Sequence, residues 1–423
     1  MTYLIRFSWC DEFNSRTPVG VKEVVLKPSD STRQSRQVAR LLLRQRVVHL
    51  LRTSGPLARA DLADKLGLPR PQITTIVADL IEDGTLVELE SRIEGVSSRG
   101  RPRILLDCNP EARRVLGIQI DGIRARVVLA DATGNISHEG QTPTGDRDPA
   151  AVIRSITTLA KKLMADSAGK PASVAGVCVP GLVDDTTGLV IETHELGWAN
   201  IELGKLLSRD LGIPVAVQDT TKAITLAETI AGEAREARSA VVLDHGGRLG
   251  VGLIIDGRPY AGSTGVAGAI GHVPVYGSST PCRCGRLGCV EADMSMYAMQ
   301  AAAPQTVGMT YDEVDVGALR ENTARNQQAQ DIIRDVIDRV AHTAALIEAL
   351  LDPELIIVAG LIIEFDELAT ALQARIDELR PPERQGRTTT VLSNIGRDAP
   401  ISVIVALQQL DPDIAGMLHS AEA

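Results

Sequence analysis

The chain has 423 residues, 44% of them hydrophobic and 23% charged, with a formal net charge of -10 at pH 7. That length implies two to four structural units, and that balance is ordinary for a soluble globular protein. An overall positive coat for nucleic acid is excluded, though a local basic region is not, and no apolar run reaches the roughly 18 residues of a membrane span. Aromatic residues make up only 2%, so the cores must be built from Ala, Val, Leu and Ile. The N-terminus, MTYLIRFSWCDEFN, lacks the charged-then-apolar layout of an export signal, so the chain is expected in the cytoplasm.

Residues 1–30 show no steady period and read as a mobile arm. From about Ser31 the period becomes helical: Val38, Leu41, Leu42, Val48 and Leu51 share a face, interspersed with arginines, until Gly55-Pro56. A short helix is predicted from Arg59 to Leu66, capped by Gly67, and a third from Arg70 to Asp83, with Ile73, Ile76, Val77, Leu80 and Ile81 on one face. The pattern is helix-turn-helix. Two alternating apolar stretches between Thr85 and Asp107, around a Gly/Ser/Arg tip, read as a β-hairpin wing.

Residues 30–107 carry 13 Arg/Lys against 10 Asp/Glu, so a cationic head precedes an acidic body. A recognition helix reads bases with its N-terminal residues, here Arg70, Gln72, Thr74 and Thr75. Arg suits guanine, Gln suits adenine, and hydroxyls suit phosphate or base edges. Arg99, Arg101 and Arg103 at the wing tip suit phosphate or the minor groove.

Past Asn109-Pro110, strands and helices alternate, which indicates an α/β body. VLGIQIDGIRARVVLADATGNIS reads as two strands around a Gly turn; a helix near 150–165, strand VAGVCVPG, a helix near 203–211 and strand PVAVQD follow. A second cycle starts at Ser239 and runs through a long helix at 327–351 to the strand ELIIVAG. Lobes are expected at 110–235 and 236–423, with the final helix a candidate to return to the first.

Within the second cycle, His272, Cys282, Cys284 and Cys289 form H-x9-C-x-C-x4-C. Three thiolates and an imidazole are a preferred donor set for one structural zinc ion, and the interposed glycines let a short loop fold around it. The surrounding GxxGAxGHxxV and CxCGxxGCxE, here GVAGAIGHVPV and CRCGRLGCVE, resemble the signature of the ROK family of bacterial sugar kinases and sugar-responsive repressors. GPLARADLADKLGLPRPQITTIVADLIEDGTLVE and the following SSRGRPR are similar to the winged helix-turn-helix of that family's repressor branch (regulators of the xylose and N-acetylglucosamine type).

The resemblance implies a winged helix-turn-helix followed by a two-lobed actin-like, ribonuclease H-like sugar-kinase domain. It also implies where nucleotide and sugar would bind. The family's DxGGTK phosphate loop reads Asp121-Gly122-Ile123-Arg124, and the second loop reads Asp244-His245-Gly246-Gly247-Arg248-Leu249-Gly250-Val251-Gly252. A third nucleotide contact, Val358 to Leu361, is partial. Small residues are needed there for backbone N–H groups to approach phosphate, so three altered loops together argue against ATP binding and against enzymatic activity. On the sugar side the family's catalytic aspartate corresponds to Asp219, here vestigial, and its sugar contacts to His272 and Glu291, with Ala269 where a glutamate would stand. Trp198 and Asn200, in ELGWAN, are further candidate ligand contacts. The implied function is a transcriptional regulator, of the repressor type, binding a double-stranded operator as a homodimer or homotetramer and sensing a sugar-like effector. A sugar kinase with a DNA-binding arm and a regulator controlled by a protein partner are the alternatives.

Overall fold

A computed structural model describes residues 43–410 except 45, 49, 52–53, 83, 91–103, 110–111, 146–147, 168–170, 247, 301–325 and 397–399. The arm at 1–30 and the wing-tip residues Arg99, Arg101 and Arg103 lie outside the described residues. The head opens with a helix, described at 43–44, 46–48, 50–51 and 54, that stops at Gly55-Pro56. Next come β1 (Leu57–Ala58), α1 (Arg59–Leu66), α2 (Arg70–Glu82), β2 (Leu86–Glu90) and β3 (Ile104–Cys108). Gly67 ends α1 in the left-handed region, at φ 62°, where a side chain would be strained. Strands β2 and β3 pair antiparallel, Leu86 opposite Cys108 and Glu90 opposite Ile104, as the predicted wing requires. The two-residue β1 adds to the far edge of β3. Val47, Leu51, Leu62, Ile73, Val77, Leu86 and Leu106 close a core of the head's own.

The first lobe contains β4 (Arg114–Ile120), β5 (Arg124–Asp131), β6 (Ile136–Pro143), α3 (Pro149–Asp166), β7 (Ala172–Val179), β8 (Leu182–Asp184), β9 (Leu189–Thr193), β10 (Trp198–Ile201), α4 (Leu203–Leu211), β11 (Val215–Asp219) and α5 (Thr220–Ala231). Its main sheet has the order β11-β7-β4-β5-β6, with β8, β9 and β10 forming a small separate sheet. β4, β5 and β6 are antiparallel neighbours, while β7 and β11 run parallel to β4. Asp148 starts α3 by accepting the N–H of Ala151 at 3.0 Å, with Pro149 in the first turn where no donor is needed. Ile153 and Ile156 of α3 meet Ile118 and Leu129 of the sheet in an aliphatic core.

The second lobe contains β12 (Ala240–His245), β13 (Leu249–Ile255), β14 (Arg258–Pro259), α6 (Val290–Met294), α7 (Met296–Gln300), α8 (Gln327–Leu351), β15 (Leu355–Ala359), α9 (Asp366–Leu379), β16 (Thr389–Leu392) and α10 (Ile401–Leu410). Its sheet, β14-β13-β12-β15-β16, repeats the plan of the first: an antiparallel run on one side and parallel strands on the other. α8 and α9 cover it through residues such as Val336, Val340 and Leu372. α10 instead packs on the first lobe, Val403, Ala406 and Leu407 lying against Val115, Val128 and Val174. That approach needs glycine beneath it. Gly117 and Gly176 sit opposite each other on β4 and β7, and a Cβ on Gly176 would lie 2.3 Å from both Ala406 N and Ser402 O.

Candidate functional site

The cleft is built from strand ends and the turns after them. A cavity of about 250 Å³ is lined from the first lobe by Glu192, His194, Glu195, Asp219 and Lys222, and from the second by Arg248, Ala269, His272, Arg283 and Glu291. A neighbouring cavity of about 130 Å³ takes in Asp121, Arg124, Asp244, Arg248 and Gly360. Glu195 and Arg248 line both.

Asp219 ends β11 and caps α5, its Oδ1 accepting the N–H of Lys222 at 3.0 Å. The Lys222 ammonium then turns back: Nζ lies 3.3 Å from Asp219 Oδ2 and 3.5 Å from Asp185 Oδ2, and it donates to the Gly265 carbonyl of the second lobe. Thr221, next on α5, donates to the buried carboxyl of Asp244 at 2.7 Å, a second tie between lobes. Burial pushes the Asp244 carboxyl above the usual carboxylate range, against the pull of Thr221 and Arg248.

The altered phosphate loops have a structural counterpart. Asp121 Oδ1 accepts the N–H groups of Ile123 at 2.9 Å and Arg124 at 2.7 Å, so the loop's own carboxylate occupies donors that a phosphate would need. Gly246 N donates to Arg248 O at 2.9 Å, closing the second loop into a tight turn. Gly360 holds φ 86°, and a Cβ there would stand 2.4 Å from Asp244 Oδ1. That position keeps its glycine for packing within the protein.

His272 and Glu291 reach the larger cavity. Glu291 is 3% exposed and paired with Arg283, Oε1 to Nη2 at 3.0 Å. Two expected ligand contacts are not there. Trp198 is 2% exposed and packs among Leu196, Leu203 and Val190, because a bulky apolar ring gains most from full burial. Asn200 is exposed on the edge strand β10, at φ 55°, and does not line the cavity. Glu195 lines it instead. It sits between β9 and β10, 7% exposed, flanked by the buried Leu196 and Trp198 that pin the turn. Burial pushes its carboxyl up, Arg248 and Arg283 pull it down, and Glu291 and Asp121 push it up again. An acidic residue beside an apolar pair in a short turn was the only sequence signal for it.

His272, Cys282, Cys284 and Cys289 converge, their donor atoms all within 4.8 Å of one another. Cys284 Sγ lies 3.7 Å from Cys289 Sγ, and Cys282 Sγ lies 3.6 Å from His272 Nδ1. A tetrahedral ion with metal–sulfur bonds of about 2.3 Å and metal–nitrogen bonds of about 2.0–2.1 Å sets separations of roughly 3.8 and 3.6 Å between such donors. These two separations match those values, and the four donors could hold a metal ion. Gly288, at φ 69°, is required because a Cβ would meet Ser278 O at 2.5 Å. Burial pushes the Cys284 thiol up, but hydrogen bonds from Arg286 and the neighbouring thiols prevail and bring it down to about 7. The His272 ring also meets His194 of the first lobe edge-on, centroids 5.0 Å apart.

On the head, Ile73, Ile76, Val77 and Leu80 face inward, which leaves Arg70, Gln72, Thr74 and Thr75 exposed at the start of α2. Thr74 and Thr75 donate their hydroxyl protons back to Arg70 O and Pro71 O, so their outward lone pairs are acceptors. Arg59 joins α1 to the wing strand through Glu88 at 2.6 Å.

Residues 115–401 match the profile described as the ROK family. The chain belongs to the ROK family. Among ROK relatives, the xylose repressor of Caldicellulosiruptor bescii is 24% identical over 330 residues, covering 74% of this chain and 81% of its own. The DNA-binding transcriptional repressor Mlc of Escherichia coli is 28% identical over 338 residues, 74% of this chain and 79% of its own. A transcriptional regulator of Mycobacterium tuberculosis is 28% identical over 393 residues, 89% and 87% respectively. A crystal structure of a ROK transcriptional regulator, a homologue of Escherichia coli Mlc, superposes with a TM-score of 0.73 at 23% identity, covering 91% of this chain and all of that one. A ROK hexokinase from Thermus thermophilus gives 0.58 at 20% identity over 71% of this chain and 99% of that one. The expected two-lobed α/β ROK fold is thus observed, and no helix among the described residues is long and apolar enough to cross a membrane.

Proposed function

We propose that this chain is a ROK transcriptional regulator of the repressor type, a cytoplasmic homodimer that binds double-stranded operator DNA and responds to a sugar or sugar-derived effector. The observation that carries the reading is the join of two features in one chain. A winged helix-turn-helix head exposes Arg70, Gln72, Thr74 and Thr75, and the cleft behind it has Asp121 holding its own phosphate-loop N–H groups. The relative matched over 89% of this chain is a transcriptional regulator, and the one matched over 74% is the repressor Mlc.

In this reading the body does not phosphorylate. Asp219, the residue placed to be a base, faces Lys222. The His272, Cys282, Cys284, Cys289 site holds one zinc ion, which fixes the loop presenting His272 and Glu291; when bound, the ion supplies structure to a closed four-donor site. Arg70 and Gln72 read base edges, and Thr74, Thr75 and the wing arginines Arg99, Arg101 and Arg103 add contacts to base edges and phosphates. Effector bound between the lobes alters their closure and so the placement of the heads. Emptying an occupied operator requires an effector preference of roughly 5 kcal/mol for the non-binding state.

The test is fluorescence anisotropy on the DNA upstream of the chain's own gene. Binding should weaken steeply between low and moderate salt as arginines release counterions. Arg70→Ala should cost about 1–3 kcal/mol and relax preference at one base pair. Absence of binding at low salt, with and without sugars, would refute the reading. ATP turnover dependent on a sugar and abolished by Asp219→Asn would establish the kinase instead.

A further inference from the structure

The cleft contains one carboxyl group that the fold does not use. Among the described residues neither oxygen of Glu195 accepts a hydrogen bond, although the side chain is only 3% exposed and lines the larger cavity. The nearest cation, Arg248, comes from the opposite lobe and stands 3.7 Å away, longer than a hydrogen bond. A buried carboxyl without donors is costly to keep. The flanking Leu196 and Trp198, both buried, hold it in place at that cost. A group kept in this way is the expected mark of a site completed by something else.

The cavity shows what that is. Its second-lobe wall carries Ala269, so no carboxylate projects from that position. Its cations are already engaged. Lys222 faces Asp219 and Asp185, Arg283 holds Glu291, Arg286 bonds the Cys284 thiol, and Arg248 faces Glu195. A phosphate entering here would meet Asp219 and Asp185 beside Lys222, Glu291 beside Arg283 and Glu195 beside Arg248. Hydroxyl groups would find acceptors.

We infer that Glu195 is a ligand-binding residue of this cleft, an acceptor from the first lobe that selects a neutral, hydroxyl-rich effector over a phosphorylated one. The inference rests on the reading of the body as a sensor and names the chemistry of what it senses. Two hydroxyls of one sugar would satisfy both oxygens, and because Arg248, His272 and Glu291 approach from the other lobe, the same molecule would bridge the cleft.

Titration calorimetry on the full zinc-loaded chain tests this with D-glucose, D-xylose, D-galactose, N-acetyl-D-glucosamine and D-glucose 6-phosphate. At least one neutral sugar should bind, and glucose 6-phosphate should bind at least about tenfold more weakly than the best of them. Glu195→Gln and Glu195→Ala should each weaken that sugar by about tenfold or more, the loss expected for a charge-assisted hydrogen bond. Without ligand, Glu195→Gln should melt at or above the temperature of the unsubstituted chain, because a desolvated acid has been removed. Equal sugar affinity in the variants, binding of the phosphosugar alone, no binding of any neutral sugar, or a melting point lowered by more than about 5 °C in Glu195→Gln would each overturn the assignment. DNA binding by the unsubstituted chain, measured alongside, separates failure of this inference from failure of the regulator reading.

Discussion

Lys222 and Asp219 stand one turn apart at the start of α5, joined twice: the Asp219 carboxylate caps the Lys222 N–H at 3.0 Å and faces its ammonium at 3.3 Å. The same ammonium reaches Asp185 and the Gly265 carbonyl across the cleft. Replacing Lys222 by Met therefore strands two carboxylates and releases the Gly265 loop. The expected loss is about 1.5–3 kcal/mol, the usual worth of hydrogen bonds to a charged group, read by urea denaturation, with faster proteolysis near 262–268. Unchanged stability would mean that the lysine is merely accommodated.

The metal loop gives a second expectation. Cys284→Ser leaves three donors and removes the thiol that Arg286 draws toward thiolate. Metal content should fall from about one ion per chain to near none, and the melting temperature should drop. A retained ion with an unaltered melting curve would contradict the assignment of all four donors.

Gly176→Val should be among the most damaging single changes in the body. Its Cβ would lie 2.3 Å from backbone atoms of α10, which cannot swing aside as a side-chain tip can. The expected cost is about 3 kcal/mol, the upper part of the range for overpacking, measured as a shift in urea midpoint.

His245 sets a pH dependence. It is fully buried, and desolvation takes its imidazole down to about 4 despite the hydrogen bond between Nε2 and Met294 O. The unfolded chain takes up that proton near pH 6.5 and the folded chain not until about 4. Its contribution to stability is thus full above pH 6.5 and is lost as pH falls toward 4, by about 3 kcal/mol in all. His245→Gln should lose this slope, so the difference between the two proteins at pH 7 and pH 4.5 is the measurement. Parallel curves would contradict it.

Much of the molecule is legible in the sequence through local rules. Gly67 after Leu66 and the 3.6 period of Ile73, Ile76, Val77 and Leu80 each name an element and a boundary. The spacing of His272, Cys282, Cys284 and Cys289 named a donor set because its members are close in sequence. What stayed hidden depends on segments meeting across the fold. β1 is too short to carry a period and exists because β3 offers it an edge. β6 was not foreseen because its alternation is between exposed and half-buried residues. Nothing in the sequence around Lys222 sets it apart, because its partners Asp185 and Gly265 meet it only across the fold. In ELGWAN the residues chosen as ligand contacts were Trp198 and Asn200, while the group aimed into the cavity is Glu195. A tryptophan reads equally well as wall or as core, and only the packing decides.

That tryptophan has a practical consequence. The sequence holds two, Trp9 and Trp198. In a Trp9→Phe chain the sole indole would sit three positions from Glu195, at the end of the turn that touches His272 through His194. Its ultraviolet emission would then report, without any added dye, on motion of the first-lobe wall as small molecules enter.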